Sequence, residues 1–84
     1  MAIDRLPAVK AKTGWRSHAS IYNAVNAGLF TEPVKIGVRS VGWPDNEVEA
    51  LCAARIAGLP DDQIRELVNT LHSKRAERLA ALMA

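Results

Sequence analysis

At 84 residues the chain has room for one small domain, close to the size at which a hydrophobic core is marginal without further support. With 49% hydrophobic and 24% charged residues it reads as a folded soluble protein, which excludes a disordered chain, and no apolar run is long enough to cross a bilayer. The formal net charge of +2 is small but uneven: residues 1–44 hold six basic residues against two acids, and residues 45–84 hold five against seven, so a polyanion is steered to the first half.

In chain order, Arg5-Leu6-Pro7 opens the first predicted helix, because proline in a first turn loses no hydrogen bond. That helix runs to about Thr13, buries Leu6, Val9 and the Thr13 methyl, and turns Lys10 and Lys12 outward, where lysines meet phosphates if the helix crosses a DNA backbone. Gly14 ends it in a conformation glycine adopts without penalty. Ser17 is the expected N-cap of a second helix and Gly28 its stop. Between them Ile21, Ala24 and Val25 make one apolar stripe, and His18, Ala19, Tyr22, Asn23 and Asn26 lie on the far side. A short helix with an uncharged, hydrogen-bonding outer face, preceded by a tight turn, suits a major groove. The plain alternative is a surface helix with a polar back.

Leu29 and Phe30 continue the core and Thr31-Glu32-Pro33 make a turn. Two short alternating segments follow, Val34-Lys35-Ile36 and Val41-Gly42-Trp43. They predict a hairpin around Gly37-Val38-Arg39, with Gly37 available for positive φ. This packs Val34, Ile36, Val41 and Trp43 inward and leaves Arg39 on the tip with Lys35 nearby, as in a DNA-contacting wing. A third helix starts at Pro44-Asp45-Asn46-Glu47, with acids at its positive end, carries a stripe of Val48, Leu51, Cys52 and Ile56, and stops at Gly58. A fourth starts at Pro60-Asp61-Asp62 with Ile64, Leu67, Val68 and Leu71 as its docking stripe. The pattern lapses at Lys74 and Arg75 and returns weakly at Leu79, Leu82 and Met83. The tail is either a frayed end or a surface completed by a second subunit.

The residues Arg5-Leu6-Pro7, Val9, Thr13-Gly14, Ser17 to Tyr22, the Pro33 to Pro44 hairpin and Glu47-Val48 together closely resemble the AlpA-like prophage regulatory proteins, over roughly residues 4–58. The most specific part is Val34 to Pro44. The resemblance implies a small winged helix-turn-helix, similar to MerR-type DNA-binding domains and phage excisionases, that binds double-stranded DNA in transcription or excision. Three departures stand out. Arg16 looks like an extra residue in the turn, His18-Ala19-Ser20 replaces an Arg-Ser-Thr usual in the family, and Asn23 replaces a basic residue. Arg16 restores part of the lost charge.

The expected fold is therefore mainly α with a small β-hairpin, a winged helix-turn-helix of three to four helices and a two-stranded wing. Residues 1–58 are the DNA-binding unit and residues 59–84 a C-terminal helix that docks or dimerises as an extension of it. The expected DNA-contacting residues are Arg16, Ser17, His18, Ser20, Tyr22, Asn23, Lys35 and Arg39. Asn23 and Asn26 match the donor and acceptor of adenine in the major groove, Tyr22 either donates to a phosphate or packs on the first helix, and Trp15 and Trp43 fill the core. The expected partners are double-stranded DNA, a second copy through the C-terminal helix, and a recombinase or RNA polymerase, with no membrane. The reading with a different chemistry is a protein-interaction module built on the hairpin and C-terminal helix.

Enzyme chemistry is not expected. His18, His72 and Cys52 lie on different predicted elements without metal-ligand spacing, no glycine loop cradles a phosphate, and Asp61 and Asp62 are explained by capping, so no catalytic, metal or cofactor site is assigned. An N-terminus without an apolar signal core and a lone cysteine point to the cytoplasm, at the bacterial nucleoid if DNA is the partner.

Overall fold

The punctuation of the chain sets most of its helix boundaries. In the computed structural model, which describes residues 2–84, strand β1 (Ile3–Asp4) leads into α1 (Leu6–Thr13) and α2 (His18–Asn26). Strands β2 (Val34–Lys35) and β3 (Val41–Pro44) follow, then helices α3 (Asp45–Ile56) and α4 (Asp61–Met83). Met1, the first residue of the expected 1–58 unit, lies outside the described residues. Gly14 closes α1 at φ 81°, with its N–H on the Lys10 carbonyl. Helix α2 ends in a Schellman turn: Gly28, at φ 76°, donates to Val25 and Leu29 donates to Ala24, which satisfies carbonyls left over at the helix end.

The sheet holds more than the expected hairpin. β1 pairs antiparallel with β3 (Ile3 with Pro44, Asp4 with Trp43), β2 pairs with its other edge (Val34 with Gly42, Lys35 with Val41), and the order is β1-β3-β2. The Asp45 N–H continues this pairing by donating to the Ala2 carbonyl at 2.8 Å, which supplies a partner for the first turn of α3. Gly42 is required by this approach. A Cβ there would collide with the Ile3 side chain and lie 2.9 Å from the Asp4 carbonyl oxygen.

Gly37 does not take the positive φ expected of it. The loop closes through the Ile36 N–H on the Ser40 carbonyl, so it is longer than a two-residue turn and has no need of a primed conformation. Ile36, expected inside, is 42% exposed, because the strand has already left the core after Lys35.

The core is Val9 from α1, Ile21 and Ala24 from α2, Phe30, Trp43, Val48, Leu51 and Ala54 from α3, and Ile64, Val68 and Leu71 from α4. Trp43 is fully buried and its indole N–H donates to the Thr31 carbonyl at 2.7 Å. Ile56, placed in the apolar stripe by the sequence, is 88% exposed; Ala54 and Glu47 take the inward positions of α3 instead.

Helix α4 docks by its first half. Beyond Leu71 none of its residues is fully buried, although the helix continues to Met83. The lapse in its pattern has a chemical cause. Arg75 donates Nε and Nη2 to the two carboxylate oxygens of buried Glu47, at 2.7 and 2.6 Å, and Nη2 also reaches the Glu32 carbonyl. His72 Nε2 accepts the Glu32 N–H at 3.0 Å. Four helices around a small antiparallel sheet, among the described residues, make this a mainly helical winged helix-turn-helix.

Candidate nucleic-acid interface

Helix α2 and the turn before it form the first half of the candidate surface. Thr13 anchors the turn: its hydroxyl donates to the Val9 carbonyl at 2.8 Å and accepts the Trp15 N–H at 3.2 Å. Trp15 is half-buried and meets Phe30 edge-on, with ring centroids 5.3 Å apart, so the turn is pinned to the core while Arg16 projects from it. Ser17 caps α2 by accepting the Ser20 N–H at 3.1 Å, and the Ser17 and Ser20 hydroxyls share a hydrogen bond. One hydroxyl hydrogen of this pair remains for an outside acceptor.

Ile21 and Ala24 point inward. His18, Ala19, Asn23 and Asn26 are exposed on one face, at the spacing that places residues above one another on a helix. Tyr22 is half-buried against the core cluster that includes Val9 of α1. Its ring lies against Trp43 of β3, with centroids 6.1 Å apart, and so ties α2 to the base of the wing.

The wing is the second half. Val34 and Val41 are half-buried at its root, Trp43 is in the core, and Lys35, Gly37, Val38 and Arg39 are exposed. Arg5, which the sequence places at the opening of the first helix, donates to Ser40 Oγ at 2.9 Å and braces the loop from the start of α1. That contact joins positions 35 apart, beyond the reach of local patterning.

The charges divide by partner. Among the described residues, Lys10, Arg16, Lys35 and Arg39 in the first half, and Lys74 in the second, have no ion pair or side-chain hydrogen bond. Lys12, expected to face phosphates, is committed elsewhere: its ammonium is 2.7 Å from Asp4 and 3.7 Å from Glu49. The hydrogen bond that Lys12 donates to the Asp4 carboxylate raises the lysine pKa above the ordinary 10.5. What the pair adds to stability is present below that ordinary value and is lost as pH climbs through the raised one. In the second half of the chain Arg75 is paired with Glu47, Arg55 lies 4.0 Å from Asp61, and Arg65 donates to the Ala27 carbonyl. The first half thus keeps most of its cations available on the turn, α1 and wing.

Behind the turn, Trp15, Leu29, Cys52 and Ile56 border a cleft of about 260 Å³. Burial pushes the Cys52 thiol upward in pKa, which lowers its thiolate fraction and its reactivity. Among the described residues no group of three or more His, Cys, Asp or Glu side chains is placed to hold a metal, and no helix is long and apolar enough to cross a membrane.

Comparison with curated proteins and with solved structures gives no match. The model of the family described as prophage CP4-57 regulatory protein (AlpA) matches residues 3–56, from β1 to the last residue of α3, and the chain belongs to that family of prophage regulatory proteins.

Proposed function

We propose that this protein binds double-stranded DNA sequence-specifically and regulates a bacterial or prophage locus from the cytoplasm. Helix α2 lies in the major groove, with His18, Asn23 and Asn26 at base edges. The hydroxyls of Ser17, Ser20 and Tyr22 and the guanidinium of Arg16 meet the flanking backbone. The wing places Lys35 and Arg39 on the next stretch of phosphates and minor groove. The observation that carries this reading is that Arg16, in the turn before α2, and Lys35 and Arg39, on the wing, have no ion pair among the described residues, while Tyr22 and Trp43 hold α2 and the wing together. Membership of a prophage regulatory family supports it.

Residues 1–58 form the DNA-binding unit in this reading, and residues 59–84 its extension. Leu79, Leu82 and Met83, 58–77% exposed near the end of α4, support a homodimer formed through that tail.

The test is fluorescence anisotropy with the region upstream of the protein's own gene against scrambled duplex, across a salt series. Preferential binding to one fragment, weakening steeply with salt, is expected. Arg39→Ala lowers the affinity and reduces the salt slope by about one while the melting temperature stays unchanged. An unchanged affinity in that variant removes the wing from the interface, and absence of binding at low salt overturns the DNA reading.

A further inference from the structure

Val38 is 98% exposed at the wing tip, and neither folding nor turn chemistry accounts for it. It packs on nothing in the core, and a β-branched side chain is disfavoured in a turn, where glycine, asparagine and aspartate serve better. Ile36, two positions earlier, is 42% exposed. The wing therefore presents two apolar side chains interleaved with Lys35 and Arg39, which have no ion pair among the described residues.

The support beneath them is braced at three points. Trp43 is buried at the foot of the wing with its indole bonded to Thr31, the Ile36 N–H closes the loop on Ser40, and Arg5 holds the Ser40 side chain. A side chain on such a base arrives at a partner without first being ordered, which removes part of the entropy cost of contact.

Resting on the DNA-binding reading, we infer that Val38 enters the minor groove beside Arg39 and selects A·T over G·C pairs there. The minor-groove edge of an A·T pair carries acceptors only, whereas G·C adds the guanine 2-amino donor. An isopropyl group over that donor strips its water and offers no acceptor, which leaves a polar group unsatisfied. Arg39 beside it meets the negative potential of the groove whichever base pair Val38 covers. Val38 is a specificity-determining residue, and Arg39 supplies affinity.

The experiment uses the full chain to enrich sites from a randomised duplex pool. The A·T pairs flanking the enriched site are then replaced one at a time by G·C or by inosine·cytosine, which keeps the minor-groove edge of A·T but a G·C-like major-groove edge. At the wing position, G·C should weaken binding by about tenfold, and inosine·cytosine should restore it. Val38→Ser, whose hydroxyl can accept from the amino group, should reduce the discrimination to about twofold or less with an unchanged melting temperature. Arg39→Ala should weaken all three probes together. Equal binding of A·T and G·C at every flanking position overturns the inference, as does inosine·cytosine behaving like G·C or a Val38→Ser variant that still discriminates. Those outcomes leave the DNA reading standing. Failure to enrich any sequence overturns both.

Discussion

Arg75 and Glu47 show how a single side chain changes meaning between sequence and space. Along the chain, Glu47 is an acid favoured by the helix dipole and Arg75 is a break in an apolar stripe. In the fold they meet as a bidentate pair, with Glu47 only 3% exposed. Removing one partner leaves a buried charge without compensation. Arg75→Met should therefore cost about 3–5 kcal/mol, measured by urea denaturation. The double replacement Glu47→Leu with Arg75→Met should recover most of that loss, because an apolar pair of similar volume escapes the desolvation cost. The pairing was not legible beforehand, since nothing in a helical period connects positions 28 apart. Asp4 is a similar case: it withdraws Lys12 from the set of available cations by a contact that charge counting cannot register.

At the scale of elements, the helix-turn-helix was readable because its instructions are local. Gly14, Ser17 and Gly28 each act within a turn or two of their own position, and the capping bonds appear where those residue types require them. The sheet was only partly readable. Val34-Lys35 and Val41-Gly42-Trp43 carry the alternation of paired strands, whereas Ile3–Asp4 is too short to show any period and its partner, β3, lies some forty positions later. Gly42 carries the trace of that hidden strand, as the position where β1 comes too close for a Cβ. Gly42→Ala should destabilise the protein by about 1–3 kcal/mol, through displacement of β1 or of the wing root. The expected observation is a lowered melting temperature with far-UV circular dichroism retained below the transition. An unaltered melting temperature would mean that β1 yields without cost.

The molecule as a whole has a radius of gyration of 12.8 Å and extends 38 Å along its longest axis. Helix α4, 23 residues and roughly 35 Å long, packs its first half on the core; His72 and Arg75 tie down the start of its second half, and residues 76–83 are exposed. A proposed dimer uses that second half. A chain ending at Arg78 keeps Ile64, Val68, Leu71 and the Arg75–Glu47 pair, so its melting temperature at low concentration should match that of the full chain. In sedimentation velocity the full chain should show concentration-dependent association and the shortened one a monomer. A full chain that stays monomeric removes the dimer.

Glu32 stands between α2 and the wing, yet both of its main-chain polar groups are held by α4: its N–H by His72 and its carbonyl by Arg75. A protected amide exchanges with solvent deuterium only when its acceptor withdraws. The exchange clock at this one backbone position therefore runs on the detachment of a helix forty residues away. A single resonance at the root of the wing reports whether the C-terminal helix is seated.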